Sequence, residues 1–134
     1  MTEIKQIYKC NICGNIVEVL HAGVGELVCC GKPMDLLIEK NNDEGLEKHI
    51  PVIGKFFDAD SDETRNAVVI GEVLHPMEPA HHIEWIEVIY DGSSVKKFLN
   101  PSDAPKMLFD FNNIDPEKVK LRAYCNIHGL WSNK

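Results

Sequence analysis

Apolar and polar positions alternate over short stretches of this chain, and nowhere do they repeat with the 3.6-residue period of an amphipathic helix. The stretches NAVVIGEVL, HIEWIEVIY, SVKKFL, KMLFDF and KVKLRAYC are rich in Val, Ile and aromatic residues, the types that suit a pleated surface. Turn signals separate them: YDGSS, NPSDAP and NNIDPE. In the last stretch Lys118, Lys120 and Arg122 fall on one face and Val119, Leu121 and Ala123 on the other. Roughly six or seven such strands from His49 onward predict an antiparallel β-sandwich. The polar, acidic segment GKFFDADSDETRN reads as an exposed hairpin tip or loop.

The beginning of the chain has a different texture. Two short β-type runs, NIVEVL and ELVCC, flank the glycine-containing turn HAGVG. No Lys-Ser/Thr pair follows those glycines, so they do not form a phosphate loop. A piece of about 35 residues buries too little apolar surface to fold unaided and needs a staple. The polar run EKNNDEGLEK then separates it from the strands. The expected organisation is an all-β chain: a small metal-binding domain at 1–37, a linker at 38–46 and a sandwich domain at 47–134.

Composition narrows the class. The chain has 134 residues, 44% of them hydrophobic, enough for a real core, so disorder is not the default. Fourteen basic residues against 21 acidic ones give a net charge of −7. No basic run or aromatic-basic interleaving is present, which argues against nucleic acid as partner. An anionic substrate would need local positive charge to reach its site. No apolar run approaches the length of a membrane span, and none follows a basic start. The expectation is a soluble cytoplasmic protein, in which cysteines serve metal or redox chemistry more readily than a disulfide framework.

Four of the five cysteines supply the staple. Cys10 and Cys13 form a CxxC whose turn Gly14 relaxes, and Cys29 and Cys30 are adjacent in LVCCGKP. Successive strand side chains point apart, so both of the latter can face one ion only where the backbone kinks, which Gly31 and Pro33 permit. Two disulfides or buried free thiols are the alternatives. A tetrahedral four-sulfur site suits zinc or iron equally.

The fifth cysteine raises a separate question. Cys125 continues the parity of Val119, Leu121 and Ala123, so its sulfur is expected to point inward, with His128 just past the strand end. Five of the six histidines fall in three segments: EKHIPV, LHPMEPAHHIEW and YCNIHG. The sixth, His21, reads as an exposed turn residue. Any of the five taken singly reads as a surface or hydrogen-bonded residue. Together with a lone thiolate they point to a transition metal, and more than four candidate donors do not fit a closed structural zinc site. His81 and His82 face opposite sides of a strand, so at most one ligates; parity does not say which.

Taken together, YKCNICGNIVEVL, GELVCCGKPM, EKHIPVI, HPMEPAHHIEWIE and AYCNIHGLW resemble the desulfoferrodoxin family of two-iron superoxide reductases over essentially the whole chain. The resemblance implies a rubredoxin- or desulforedoxin-like domain whose Cys10, Cys13, Cys29 and Cys30 hold one iron. Behind it the family has an immunoglobulin-like sandwich with a second iron, bound by His49, His75, His81 and His128 and by the thiolate of Cys125. The ligand lies six residues after the HPM histidine, which selects His81 and makes His82 a neighbour. Glu47 and Lys48 match the family's pair at the open iron face. There the carboxylate closes the sixth position once iron is ferric, and the lysine overlies the substrate pocket. The family further implies reduction of superoxide to hydrogen peroxide, an external electron donor such as rubredoxin, and a homodimer. Two departures are visible: GKFFDADSDETRN is longer and more acidic than the usual connection, and PAHHIEW has proline and alanine where charged residues are common. Set against this are three alternatives: a two-centre iron electron carrier without turnover, a zinc-stabilised binding module, and a two-histidine copper site.

Overall fold

A computed structural model describes residues 1–41, 49–71 and 75–134, with every side chain in them except that of Phe56. The chain divides into two compact units, Met1–Ile38 and Glu39–Lys134.

The first unit contains five very short strands: β1 (Ile7–Lys9), β2 (Ile16–Glu18), β3 (Val28–Cys29), β4 (Lys32–Pro33) and β5 (Asp35–Leu36). They form an antiparallel sheet in the order β2-β1-β5 and a separate β3-β4 hairpin. Its apolar interior is small: Ile7, Cys10 and Val19 are buried, whereas Ile12, Leu20, Val24 and Val28 are exposed. That is the shortage of core expected of so short a segment. The β3-β4 turn explains how adjacent cysteines can face one ion. Cys30 and Gly31 both take left-handed backbone angles, φ 55° and 74°, the pair of conformations that a two-residue primed turn requires. The kink therefore falls on Cys30 itself as well as on the glycine.

In the second unit the strands are β6 (Pro51–Asp58), β7 (Glu63–Ile70), β8 (Ile83–Tyr90), β9 (Ser93–Phe98), β10 (Lys106–Leu108), β11 (Lys120–Cys125) and β12 (Gly129–Ser132). Two antiparallel sheets, β10-β7-β6 and β12-β11-β8-β9, face each other as a sandwich. The core between them joins Val68 and Ile70 of β7, Ile83, Ile86 and Val88 of β8, Met107 of β10, and Leu121, Ala123 and Cys125 of β11. The inward parity expected for Cys125 is observed: it joins Val119, Leu121 and Ala123 in this core, while Arg122 and Tyr124 do not. A 3-10 turn, Pro116–Lys118, leads into β11, with the Asp115 carboxylate accepting the Glu117 N–H.

One sequence expectation is narrowed and another corrected. GKFFDADSDETRN is the exposed end of the β6-β7 hairpin, one of the two forms expected, but most of it is strand rather than loop. Strands β6 and β7 pair in register from Pro51↔Ile70 to Asp58↔Glu63, and only residues 59–62 turn. The outer part of β7 is exposed, and without a buried face it has no period-2 signature. Arg122, placed by alternation on the polar face, is only 2% exposed. Both faces of β11 are buried, and Arg122 lies opposite Glu87 of β8, donating from Nε at 2.5 Å. The second compact unit begins at Glu39, and Lys40 pairs with Trp131 of β12.

Candidate metal centres

In the first unit the CxxC turn is closed by backbone bonds from Gly14 N–H to the Cys10 carbonyl and from Cys10 N–H to the Asn15 carbonyl, both 2.9 Å. Gly14 adopts φ 85° there. Cys13 Sγ lies 3.5 Å from Cys29 Sγ, and Cys29 Sγ lies 3.9 Å from Cys30 Sγ. A disulfide needs about 2.05 Å between sulfurs. A tetrahedron with metal–sulfur bonds of about 2.3 Å has sulfur–sulfur edges of about 3.8 Å. The four thiols therefore stand at the spacing of ligands to one ion. Their protons reflect the crowding. Backbone N–H groups of Cys13 and Ile12 lower Cys10 to about 6, while hydrogen bonding to Cys13 and Cys10 pushes Cys29 up to about 12. A bound cation would favour deprotonation of the group.

The second group gathers at one end of the sandwich. His49 lies two residues ahead of β6, and His81 two residues ahead of β8. Cys125 closes β11, and His128 lies in the β11-β12 turn. With His75 these residues bring five donor atoms within 4.8 Å of one another. Neighbouring rings alternate around a closed circuit: His49–His75 4.7 Å, His75–His81 4.7 Å, His81–His128 5.0 Å and His128–His49 4.5 Å between centroids. Each neighbouring pair is crossed by 63–83°, and the His49–His81 diagonal is longer, at 6.4 Å. Four imidazoles thus occupy the corners of a square. His49 Nε2 and His128 Nδ1 are 2.9 Å apart, and two nitrogens at adjacent octahedral positions about 2.1 Å from a metal would be about 3.0 Å apart. Cys125 Sγ lies 3.7 Å from His128 Nδ1 and supplies the one soft, anionic donor.

The surrounding contacts set which nitrogen each ring presents. His75 Nδ1 is 2.7 Å from the Pro76 carbonyl, an arrangement in which Nδ1 carries the proton and Nε2 is left as donor. His81 Nε2 is buried without a hydrogen-bond partner, a cost of about 1–3 kcal/mol that a metal bond removes. His82 turns away, its Nδ1 3.1 Å from the Glu78 carbonyl. The Trp131 ring stacks on His49 at 4.8 Å and 15°, and its Nε1–H donates to the His128 carbonyl at 3.2 Å. The same carbonyl accepts from Lys40 Nζ at 2.7 Å. The sequence reading assigned Trp131 and Lys40 no role; the signal available was the Trp three residues after His128. Glu47 and Lys48 lie outside the described residues. A 580 Å³ depression beside Lys55, Arg65 and Asp110 shares no residue with either group.

Comparison with known proteins places these features in context. The family model described as desulfoferrodoxin, N-terminal domain, matches residues 2–37, and the one described as desulfoferrodoxin matches residues 41–134. A desulfoferrodoxin homolog of Archaeoglobus fulgidus is 53% identical over 133 residues, 99% of each chain. A superoxide reductase of Pyrococcus abyssi is 35% identical over 71% of this chain and 91% of its own. Among solved structures, the superoxide reductase from Treponema pallidum superposes with a TM-score of 0.69 at 25% identity, covering 98% of both chains.

Proposed function

The chain belongs to the desulfoferrodoxin family, and from that premise we propose that it is a superoxide reductase carrying two irons. Superoxide takes up one electron and two protons and leaves as hydrogen peroxide. The observation that carries this reading is the square of four imidazoles with one buried thiolate. His49, His75, His81, Cys125 and His128 would hold iron there, and iron so bound would supply the one-electron chemistry.

The remaining chemistry belongs to the chain. Cys125 adds the only negative charge among the five donors, so a divalent ion in this site keeps a net positive charge that favours an anion. The thiolate also raises electron density at the metal, the lever that axial thiolates exert in haem proteins. Lys48 adds an attractive field in a chain of net charge −7 and orients the water that delivers a proton. Glu47 would offer a carboxylate to a metal held there. Both roles come from the family likeness of EKH. Cys10, Cys13, Cys29 and Cys30 would hold the other iron, which would supply a one-electron relay for a donor such as rubredoxin. The functional division is 1–37 for that iron and 47–134 for catalysis, joined by 38–46, in a cytoplasmic homodimer.

Pulse radiolysis of the ferrous protein tests the assignment. Second-order oxidation of the histidine-bound iron by superoxide, with one peroxide formed per iron, is the expected result. Iron that cycles with a donor yet ignores superoxide would instead make the protein an electron carrier. Colourless protein containing only zinc would make it a metal-stapled binding module.

A further inference from the structure

Beside the ligands sits a residue to which no ligand role is given. Asn126 follows Cys125 directly, and its polar groups reach the segment that carries His81. Its Oδ1 accepts the His82 N–H at 2.9 Å, and its Nδ2 donates to the Ala80 carbonyl at 3.1 Å. Its own N–H donates to the His82 carbonyl at 3.2 Å. The residues on both sides of His81 are therefore tied to the residue beside Cys125. A second brace acts on His81 itself, whose N–H and carbonyl exchange bonds with Glu78, both 3.0 Å.

The sheet cannot do this work. Between β8 and β11 the register slips, with Tyr124 opposite Trp85 but Cys125 opposite Ile83. The regular ladder ends at that bulge, one residue before the ligand segment must be held. A primary amide suits the position because one side chain offers both an acceptor and donors. Serine is too short to span both partners, and an ionised aspartate has no proton for the Ala80 carbonyl.

We infer that Asn126 is a positioning residue that fixes His81 against Cys125, so that imidazole and thiolate stand at bonding separation before metal arrives. This rests on the reading of the five donors as a metal centre. Without the clamp, the segment around His81 must be ordered by the metal itself, and affinity falls by the cost of that ordering.

The test uses the full chain loaded with ferrous iron, comparing wild type with Asn126→Ala and Asn126→Asp. Transfer of iron from the histidine centre to an external chelator is timed, with the tetrathiolate spectrum as an internal standard for a folded, loaded chain. Hydrogen exchange at the His82 amide is followed in the metal-free protein. Asn126→Ala is expected to release that iron about tenfold faster or more and to lose protection at His82. Asn126→Asp keeps the acceptor and should retain protection while releasing iron at an intermediate rate. Release from Asn126→Ala within twofold of wild type overturns the inference. Should Asn126→Ala fail to fold, Asn126→Asp decides: faster release than wild type supports the clamp and an equal rate overturns it. Wild-type protein that binds no metal at the five donors overturns the underlying reading too, whereas normal binding with clamp-independent release overturns the positioning role alone.

Discussion

Replacing Glu87 by Gln should cost the second unit about 3 kcal/mol, the lower end of the range for breaking a buried ion pair from one side. Glu87 is wholly buried and Arg122 is 2% exposed. Arg122 Nε donates to Glu87 Oε1 at 2.5 Å, Lys96 Nζ donates to Oε2 at 2.7 Å, and the Ser94 hydroxyl donates to the same oxygen. Glu39 bridges Arg122 at 3.2 Å and Lys120 at 2.5 Å. In this network three cations meet two carboxylates, so Glu87→Gln leaves three against one in a low-dielectric setting. Glutamine keeps the shape and one acceptor, which is why the low end of the range applies. For a unit of this size the loss is a fall in melting temperature on the order of 10–20 °C. Acid gives a second readout. Burial pushes the Glu87 carboxyl up, but hydrogen bonds from Arg122, Lys96 and Ser94 outweigh it and hold the group below its ordinary 4.5. A depressed carboxyl contributes stability that is present above its unfolded value and lost as pH falls through the folded one. The difference between wild type and variant, measured by denaturant titration under circular dichroism, should be full at pH 7 and shrink steadily below about pH 4.5. Protonation of metal ligands in acid is common to both proteins and drops out of that difference. A gap under about 1 kcal/mol at neutral pH, or one unchanged by acid, would refute the network.

Three further outcomes follow from the site. Cys125→Ser is expected to abolish the thiolate-to-iron charge-transfer band and most superoxide reduction, while leaving the tetrathiolate spectrum intact, both read from visible spectra and stopped-flow assay. Lys48→Ala should slow superoxide capture at low ionic strength without moving the iron spectrum, and the gap from wild type should narrow as salt rises; equal rates in dilute buffer would remove Lys48 from the mechanism. Stripping metal from the four-cysteine site should unfold residues 1–38, seen as loss of amide protection there, because its core is little more than Ile7 and Val19. Superoxide capture should survive, since all five donors of the other centre lie between His49 and His128.

The clustered donors were legible because ligand chemistry leaves local traces: a CxxC, a CxxH and an inward parity at Cys125 can each be read within a few residues. What escaped was long-range or conformational. Arg122 reads as a solvated charge because its partner Glu87 is 35 residues away, and no local pattern announces a buried pair. The outer β6-β7 segment was legible as a hairpin tip, but its strand content escaped because exposed strands carry no alternation. Adjacent Cys29 and Cys30 looked awkward under strand parity until Cys30 took a left-handed angle, a state ordinarily left to glycine or asparagine. A short hairpin turn thereby places two thiols on one ion.

The same contrast explains why the second centre needs a full sandwich while the first manages with 38 residues. Four sulfurs from two tight turns require only that each turn be well formed, because every sulfur is within a few residues of another. The histidine centre draws on three distant segments, so its donors can meet only where the ends of β6, β8 and β11 are fixed by the core behind them. Val68, Ile86, Leu121 and Ala123 pack that core, and the Arg122–Glu87 network ties β8 to β11 on its other face. Local devices then take over where the ladders stop: Trp131 against His49, the Pro76 carbonyl on His75, and Asn126 around His81. Rigidity at the strand ends is what keeps five donor atoms from distant segments within 4.8 Å of one another without a metal to gather them.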